Sequence, residues 1–157
     1  MNPCPCGEFG TRGGTCVCSP NAVRNYQHRL SGPLLDRIDI ALHMNRVTAS
    51  SGTGALTSER ARQRVVAARA RAAERLAATP WRRNADVPGT WLRGEGRRVP
   101  RAATAAVDRA LERGGITLRA YDRILRVAWT LADLAEREVP AADDIGRALY
   151  LKSGRES

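Results

Sequence analysis

The chain has 157 residues, 43% of them apolar, which is enough for one domain or two small ones with a hydrophobic core. No apolar run approaches the roughly 20 residues that span a bilayer, and the first residues lack the charged and apolar regions of a signal peptide, so we expect a cytoplasmic protein that does not enter a membrane. The net charge is +10 while aromatic residues make up only 4%, so nucleic acid would be contacted through phosphates and not through stacked bases.

The positive charge is concentrated in the middle of the chain. Residues 58–98 hold eleven arginines against four acids, whereas the two flanks are nearly balanced. Codon bias explains why arginine replaces lysine almost everywhere, since Lys152 is the only lysine. Codon bias explains the local excess less well, because the flanks use arginine as freely and balance it with acids. The sequence therefore predicts an electrostatic contact surface in the central segment.

All four cysteines lie near the N-terminus, in two C-x-C pairs that are nine residues apart. They are Cys4, Cys6, Cys16 and Cys18. Four thiolates at this spacing can enclose a tetrahedral zinc ion, and the glycines between the pairs suit a tight loop. C-x-C is less diagnostic than C-x-x-C, so metal-free thiols and redox chemistry remain alternative interpretations. A cytoplasmic setting disfavours structural disulfides.

The cysteine loop is followed by a predicted helix. Ser19 and Pro20 are typical of an N-cap and a first helical turn, and the helix is expected to end near Leu30. The Ser-Gly-Pro sequence at 31–33 breaks it. The two leucines at 34–35 are then expected to form a short buried anchor.

A strand is predicted over residues 38–47, because apolar residues alternate there with polar or small ones. Arg37 immediately precedes it, with Asp36 and Asp39 on either side. One interpretation is an arginine paired with one of these acids at a helix-to-strand junction. The other is a guanidinium held at the end of the strand, from where it can reach an anion.

A polar loop is expected over residues 48–57, followed by a basic helix. Small and apolar residues recur at helical spacing from Ala61 to Leu76, so the helix should end near Ala78. Its candidate phosphate contacts are Arg60, Arg62, Arg64, Arg69 and Arg71. These cations surround much of the helix, so an ordinary solvated surface is an equally good interpretation. Residues 81–100 lack a period and predict an ordered connector.

Three helices are predicted within residues 101–151. Gly114 and Gly115 end the first, Thr117 caps a longer second helix with a wide apolar face, and Pro140 opens the third. The second helix should be central to the bundle, and the whole segment is expected to form a small helical domain.

Arg119 lies in the first turn of the long helix, where its charge opposes the positive end of the helix dipole. Something anionic should compensate it. Asp122, one turn further on, is one candidate, although it is equally placed to pair with Arg126. A bound phosphate is the other. Arg123 and Arg126 continue the same row and are expected to be solvated.

Several of these motifs together resemble one family. The start MNPCPCG, the second C-x-C, the block SGPLLDRID and the stretch LRAYDRILRVAWTLADL at 118–134 are similar to the C-terminal part of magnesium-chelatase-like AAA+ ATPases of the ComM/YifB type. The resemblance covers essentially the whole chain, and its most specific parts are NPCPCG and SGPLLDRID. It implies an α+β, mostly α fold. Residues 1–47 would be the end of an AAA+ α/β core with one strand, the cysteine loop and an arginine-finger segment; 48–100 would be the basic helix and connector, and 101–157 an all-α lid.

The resemblance also implies roles for single residues. Asn2 resembles the sensor-1 asparagine that orients the attacking water, Arg37 the arginine finger that reaches the ATP of a neighbouring subunit, and Arg119 the sensor-2 arginine. The cofactors would be ATP and Mg²⁺, and the partners neighbouring subunits of a homo-oligomeric ring, expected to be a hexamer. In the ComM type the implied activity is ATP-driven DNA branch migration, the work of a helicase-like motor.

One departure limits what this polypeptide does alone. The Walker A pattern G-x-x-x-x-G-K-[ST] is absent, since the nearest glycine-rich run, SGTGALTS at 51–58, has no lysine, and no acidic strand end suited to Walker B precedes Asn2. The chain is therefore expected to be inactive without an N-terminal ATPase core, either as a truncated product or as one part of a split ATPase.

The alternative function is a zinc-stapled, arginine-rich nucleic-acid-binding module without ATPase activity. A true magnesium chelatase subunit is disfavoured by the cysteine loop.

Overall fold

The computed structural model describes residues 1–11, 13–42, 56–94 and 99–153, and every regular element in these ranges is a helix. The elements are α1 (Pro20–Gln27), α2 (Gly32–Asp36), α3 (Ser58–Arg75), a 3₁₀ turn (Asn84–Asp86), α4 (Gly89–Leu92), α5 (Arg101–Glu112), α6 (Leu118–Leu134) and α7 (Ala142–Ser153). The mostly helical character that the sequence predicts is confirmed. Among the described residues, no helix has the length and apolar character needed to cross a bilayer.

The described residues fall into two compact units. Residues 1–11 and 13–38 form the first, and residues 39–42, 56–94 and 99–153 form the second. The basic helix α3 belongs to the same unit as α5, α6 and α7. The domain boundaries expected at 47/48 and 100/101 stay predictions.

The predicted strand over 38–47 is not found in its described part, residues 38–42; residues 43–47 lie outside the described ranges. A strand needs a neighbour to take its backbone hydrogen bonds, and the described ranges contain no second strand. The backbone N–H of Ala41 donates instead to the carbonyl oxygen of Leu151 at 2.7 Å. The expected loop at 48–57 is described only from residue 56.

The helix starts predicted at Ser19 and Thr117 are confirmed by capping bonds, whereas α7 begins at Ala142, two residues after the predicted Pro140. The hydroxyl of Ser19 accepts from the backbone N–H of Ala22 at 3.2 Å, and that of Thr117 accepts from the N–H of Ala120 at 3.1 Å. α1 ends at Gln27, before the Ser-Gly-Pro sequence that was expected to break it, and Ser31 caps the five-residue α2. The two leucines of α2, at 34–35, are 44% and 47% exposed, so the prediction of a buried anchor was wrong.

The core of the second unit is built around α6, as its wide apolar face predicts. Ile124 and Leu125 of α6 pack with Val107 of α5 and with Ile145 of α7, and all four are at most 2% exposed. Burying each such side chain contributes about 1.5–3 kcal/mol. Gly114, at φ +70°, ends α5 and lets the N–H of Gly115 reach the carbonyl of Ala110 at 2.8 Å.

The connector before α5 is held to a second, polar side of α6. Arg93 forms an ion pair with Asp122, and the Nε of Arg126 donates to the carbonyl of Val87 at 2.9 Å. Gly89 lies so close to the Asp122 carboxylate that a Cβ there would overlap it. The connector is thus ordered by hydrogen bonds and by its buried apolar residues, which explains why it shows no sequence period.

The first unit has a much smaller apolar interior. Among its described residues only Cys4 and Val23 are buried. The side-chain amide of Gln27, at the end of α1, donates to the carbonyl of Pro3 at 3.1 Å and ties the helix to the cysteine loop. Hydrophobic burial alone is therefore a weak source of stability for this unit.

Candidate metal centre and cationic sites

The four cysteine side chains meet at one point of the first unit, as the two C-x-C pairs predict. All four sulfur atoms lie within 4.8 Å of one another. The Sγ of Cys4 is 3.3 Å from that of Cys6 and 3.7 Å from that of Cys16, and Cys6 and Cys16 are 3.7 Å apart. None of them forms a disulfide.

These distances fit a single tetrahedral ion. Four sulfurs about 2.3 Å from one zinc ion form a tetrahedron whose edges are about 3.8 Å. The separations among Cys4, Cys6 and Cys16, 3.3–3.7 Å, lie near that value, and the sulfur of Cys18 lies within 4.8 Å of the other three. A cluster of several metal ions would hold its thiolates further apart. The donor set and its spacing are therefore suited to one soft, tetrahedral cation.

The local electrostatics lower the pKa of Cys4 and Cys6 and raise the pKa of Cys16 and Cys18. The backbone N–H of Glu8 donates to Cys6 and, together with the thiols of Cys4 and Cys18, lowers the pKa of Cys6 to about 6. The backbone N–H of Cys18 also lowers the pKa of Cys16. Burial and the sulfurs of Cys6 and Cys4 outweigh this effect and raise the pKa of Cys16 to about 12. A divalent cation would counteract this increase by neutralising the shared negative charge.

Asn2 and Arg37 both belong to the first unit. Asn2 is exposed, and its amide group lies near Gly7, where an added Cβ would be 3.7 Å from Nδ2. Arg37 is the exposed C-cap residue directly after α2, so it follows an exposed helix and not the predicted buried segment. Among the described residues no ion pair joins Arg37 to Asp36 or to Asp39. The carboxylate of Asp39 pairs with Arg123 instead.

Arg119 belongs to the second unit, in the first turn of α6, and is exposed. Neither expected pairing of Asp122 is found, since its carboxylate is bound by Arg93 and Arg126 donates to a backbone carbonyl. No ion pair of Arg119 occurs within the ranges that the structure describes.

The five arginines predicted as phosphate contacts differ in their surroundings. Arg62 pairs with Glu59 of the same helix at 3.5 Å, and Arg71 pairs with Glu136 at 3.1 Å. For the other three, no ion pair is found within the described ranges. They are the exposed side chains Arg60, Arg64 and Arg69. The N-terminal half of α3, residues 58–67, contains no buried residue.

Sequence reasoning missed the ion pairs of Arg123 and Arg75 in the second unit. Arg123 was expected to be solvated, but it binds Asp39. Arg75 of α3 binds the buried Asp133 of α6 and stacks over Trp129, with its guanidinium carbon 4.3 Å from the ring centroid. The partner acids lie 58 and 84 positions away in the sequence, so no local sequence pattern indicates these two pairs.

The chain is similar to several known proteins. Residues 55–152 match the family model described as magnesium chelatase, subunit ChlI C-terminal, and residues 1–51 match the model described as magnesium chelatase, subunit ChlI. An uncharacterised protein of Mycobacterium tuberculosis is 44% identical over 96% of this chain and 30% of its own length. Competence protein ComM of Haemophilus influenzae is 33% identical over 85% of this chain and 26% of its own length.

The uncharacterised protein YifB of Escherichia coli is 29% identical over 98% of this chain and 30% of its own length. The chain thus spans about 30% of the length of the curated relatives it matches. Together with the family-model matches, these relatives establish that the chain belongs to the magnesium chelatase family, in its ComM/YifB-like group.

Proposed function

We propose that this chain supplies the C-terminal part of an ATP-driven ring motor that moves DNA strands in branch migration. In this proposal Asn2 is sensor 1, Arg37 is the arginine finger and Arg119 is sensor 2. ATP and Mg²⁺ are bound by a P-loop core that precedes this chain or assembles with it. The ring is a homo-oligomer, expected to be a hexamer, because a finger needs a neighbouring nucleotide to act on.

The surroundings of Arg119 carry the proposal. A cation in the first helical turn is unfavourable unless an anion compensates it. The nearest acid on the helix, Asp122, is occupied by Arg93. The guanidinium of Arg119 therefore remains available for a phosphate oxygen, which a sensor-2 arginine contacts.

Arg37 is suited to work in trans for a similar reason. It is exposed at the end of α2, and neither adjacent acid pairs with it in the described part of the chain. Its guanidinium would stabilise the charge that develops on the γ-phosphoryl group of the neighbouring subunit's ATP. Asn2 would hold the attacking water in line with that group.

The assembled ATPase, this chain together with its P-loop part, tests these roles. Arg37→Ala should lower kcat about 10³-fold or more while ATP binding is retained, since an arginine finger acts mainly in the transition state. Arg29→Ala is the matched control, because Arg29 is an exposed arginine of the same unit. An unchanged kcat in Arg37→Ala would show that the finger assignment is wrong.

Action in trans has its own test. Rings mixed from Arg37→Ala subunits and subunits with an inactivated P-loop should regain part of the activity that each variant lacks, because some intact fingers then face intact nucleotide sites. No recovery in the mixture contradicts action in trans. For Arg119→Ala we expect weaker nucleotide binding, with the exposed Arg147 as the control position.

The same proposal assigns the exposed arginines of α3 to DNA phosphates. Arg60, Arg64 and Arg69 are available, whereas Arg62 and Arg71 must first leave Glu59 and Glu136. Replacing Arg60 and Arg64 with alanine should therefore weaken DNA binding similarly for all sequences and reduce the slope of log K against log salt by about 1 per lost contact. Arg71→Ala should change that slope less.

A second candidate function is an arginine-rich nucleic-acid-binding module that needs no ATP. The exposed arginines of α3 that have no ion pair within the described ranges favour it, since such cations can bind phosphates without any nucleotide. Salt-dependent DNA binding by the 157-residue chain alone, unaffected by ATP, would support the module. Binding that requires ATP and the P-loop part would support the motor.

The cysteine cluster is assigned to one structural zinc ion, coordinated by Cys4, Cys6, Cys16 and Cys18. The ion would stabilise the fold of a unit whose apolar interior is small. Protein purified under reducing conditions should carry one equivalent of zinc by native mass spectrometry and elemental analysis. Protein without bound metal that keeps the α-helical spectrum and protease resistance of the first unit would contradict the assignment.

A further inference from the structure

Two contacts hold residues 39–42 to the helices of the second unit. Asp39 forms an ion pair with Arg123 of α6, and the backbone N–H of Ala41 donates to the carbonyl oxygen of Leu151, near the end of α7, at 2.7 Å. We call this pair of contacts the 39–42 clasp. It ties a short segment without regular structure to two helices at once.

The clasp lies next in sequence to both proposed nucleotide-contacting arginines. Arg123 follows Arg119 by four residues on α6, which is about one helical turn or 6 Å along the axis. Asp39 follows Arg37 by two residues, a stretch of chain that spans at most about 7 Å. Arg37 is therefore joined by two peptide units to Asp39, which is paired with α6.

The ion pair has the character of a contact that opens and closes. The Asp39 side chain is 49% exposed, and pairs of that exposure contribute little to stability. The Nε of Arg123 is buried and has no acceptor among the described residues, so the guanidinium holds Asp39 through one terminal nitrogen. On the same helix, the pair of Arg75 with Asp133 uses two bonds and is almost fully buried.

We propose that Arg123 and Asp39 are positioning residues that couple the Arg119 end of α6 to Arg37. The proposal rests on the proposed function, in which Arg119 contacts nucleotide and Arg37 acts on the next subunit. A shift of α6 on nucleotide binding then moves residues 39–42, and through them sets the placement of Arg37. The clasp makes hydrolysis at one site depend on the occupancy of another.

The clasp itself is tested in the 157-residue chain, without any ATPase activity. Amide hydrogen exchange of Ala41, followed by NMR, should become about threefold to fivefold faster in Asp39→Asn and in Arg123→Gln, because one of its two supports is lost. The charge swap of Asp39→Arg with Arg123→Asp should restore the slow rate. Asp143→Asn, an exposed acid of α7, is the control. An unchanged Ala41 rate in both single variants overturns the clasp.

The coupling is tested in the assembled ATPase. The wild type should hydrolyse ATP with a Hill coefficient above 1, which Asp39→Asn should reduce towards 1. Asp39→Glu, which keeps the charge, should return it towards the wild-type value, a rescue that a purely structural role would not require. A wild-type coefficient of 1, or one that is unaltered in Asp39→Asn, overturns the coupling.

The two proposals fail in different ways. Full activity of Arg37→Ala refutes the arginine finger whatever happens at Asp39. Loss of activity in Arg37→Ala with unaltered cooperativity in Asp39→Asn leaves the finger in place and refutes the coupling alone.

Discussion

One largely buried ion pair joins α3 to α6, and we predict that Arg75→Ala will strongly destabilise the second unit. The side chains of Arg75 and Asp133 are 10% and 2% exposed. One bond of the pair is 2.8 Å long, and Asn84 joins the two residues by accepting from Arg75 and donating to Asp133, both at 2.8 Å. The guanidinium also stacks over Trp129.

The expected magnitude follows from what the substitution leaves behind. Without Arg75, the buried carboxylate of Asp133 keeps only the amide of Asn84, and removing one partner of a buried pair costs about 3–5 kcal/mol. The remaining bond to Asn84 places the value near 3 kcal/mol. For a unit of this size each kcal/mol lowers Tm by about 4–8 °C, so Tm should fall by about 12 °C or more.

Thermal and urea unfolding of the chain, followed by circular dichroism, measure this loss. Arg71→Ala is the matched control, because Arg71 lies one turn earlier on α3 and its partner Glu136 is 71% exposed. It should cost less than about 1 kcal/mol. If Arg75→Ala costs no more than Arg71→Ala, the buried pair is not what holds α3 to α6. Leucine at both 75 and 133 should recover most of the loss, because it removes the charge together with its partner.

Further predictions concern single contacts. Gly89→Ala should destabilise the second unit by about 1–3 kcal/mol in urea unfolding, because its Cβ would overlap the carboxylate of Asp122. Thr117→Ala should cost about 1 kcal/mol in the same assay, since it removes the N-cap of α6. Zinc affinity, measured by competition with a chelator, should fall as the pH drops through the pKa of about 6 at Cys6, because protons then compete for the thiolate. Zinc addition at neutral pH should release protons to a pH indicator, because Cys16, with a pKa of about 12, must give up its proton to bind.

The sequence predicted best what depends on local patterns. The hydroxyls of Ser19 and Thr117 begin helices where the capping signals place them, and the wide apolar face of α6 is central to its unit. The two C-x-C pairs converge, because a short glycine-rich loop leaves few ways to separate them. Each of these features is determined within about 20 residues of chain.

The sequence predicted poorly what depends on distant partners. Period-two alternation at 38–42 suggested a strand, but alternation alone does not supply the neighbouring strand that its backbone would need. Asp122 was assigned to Arg119 or Arg126 by helical spacing, whereas its partner, Arg93, comes from the connector. The arginines of α3 look alike in sequence, and only the folded unit distinguishes Arg75, whose side chain is 10% exposed, from Arg64, which is exposed.

This difference changes what the basic segment can do. A uniformly solvated row of arginines would make α3 an electrostatic surface along its whole length, and any single substitution would have a small effect. Instead the C-terminal end of the helix is fixed to α6 through Arg75 and Asp133, while Arg60 and Arg64 lie on the half that has no buried residue. The exposed half therefore belongs to a helix that is joined to α6, which carries Arg119 in its first turn. If nucleotide moves α6 in the proposed motor, the free cations of α3 must move with it, and substitutions at the two ends of α3 should have opposite signatures. Loss of Arg60 and Arg64 should weaken DNA binding without affecting Tm, and loss of Arg75 should lower Tm first.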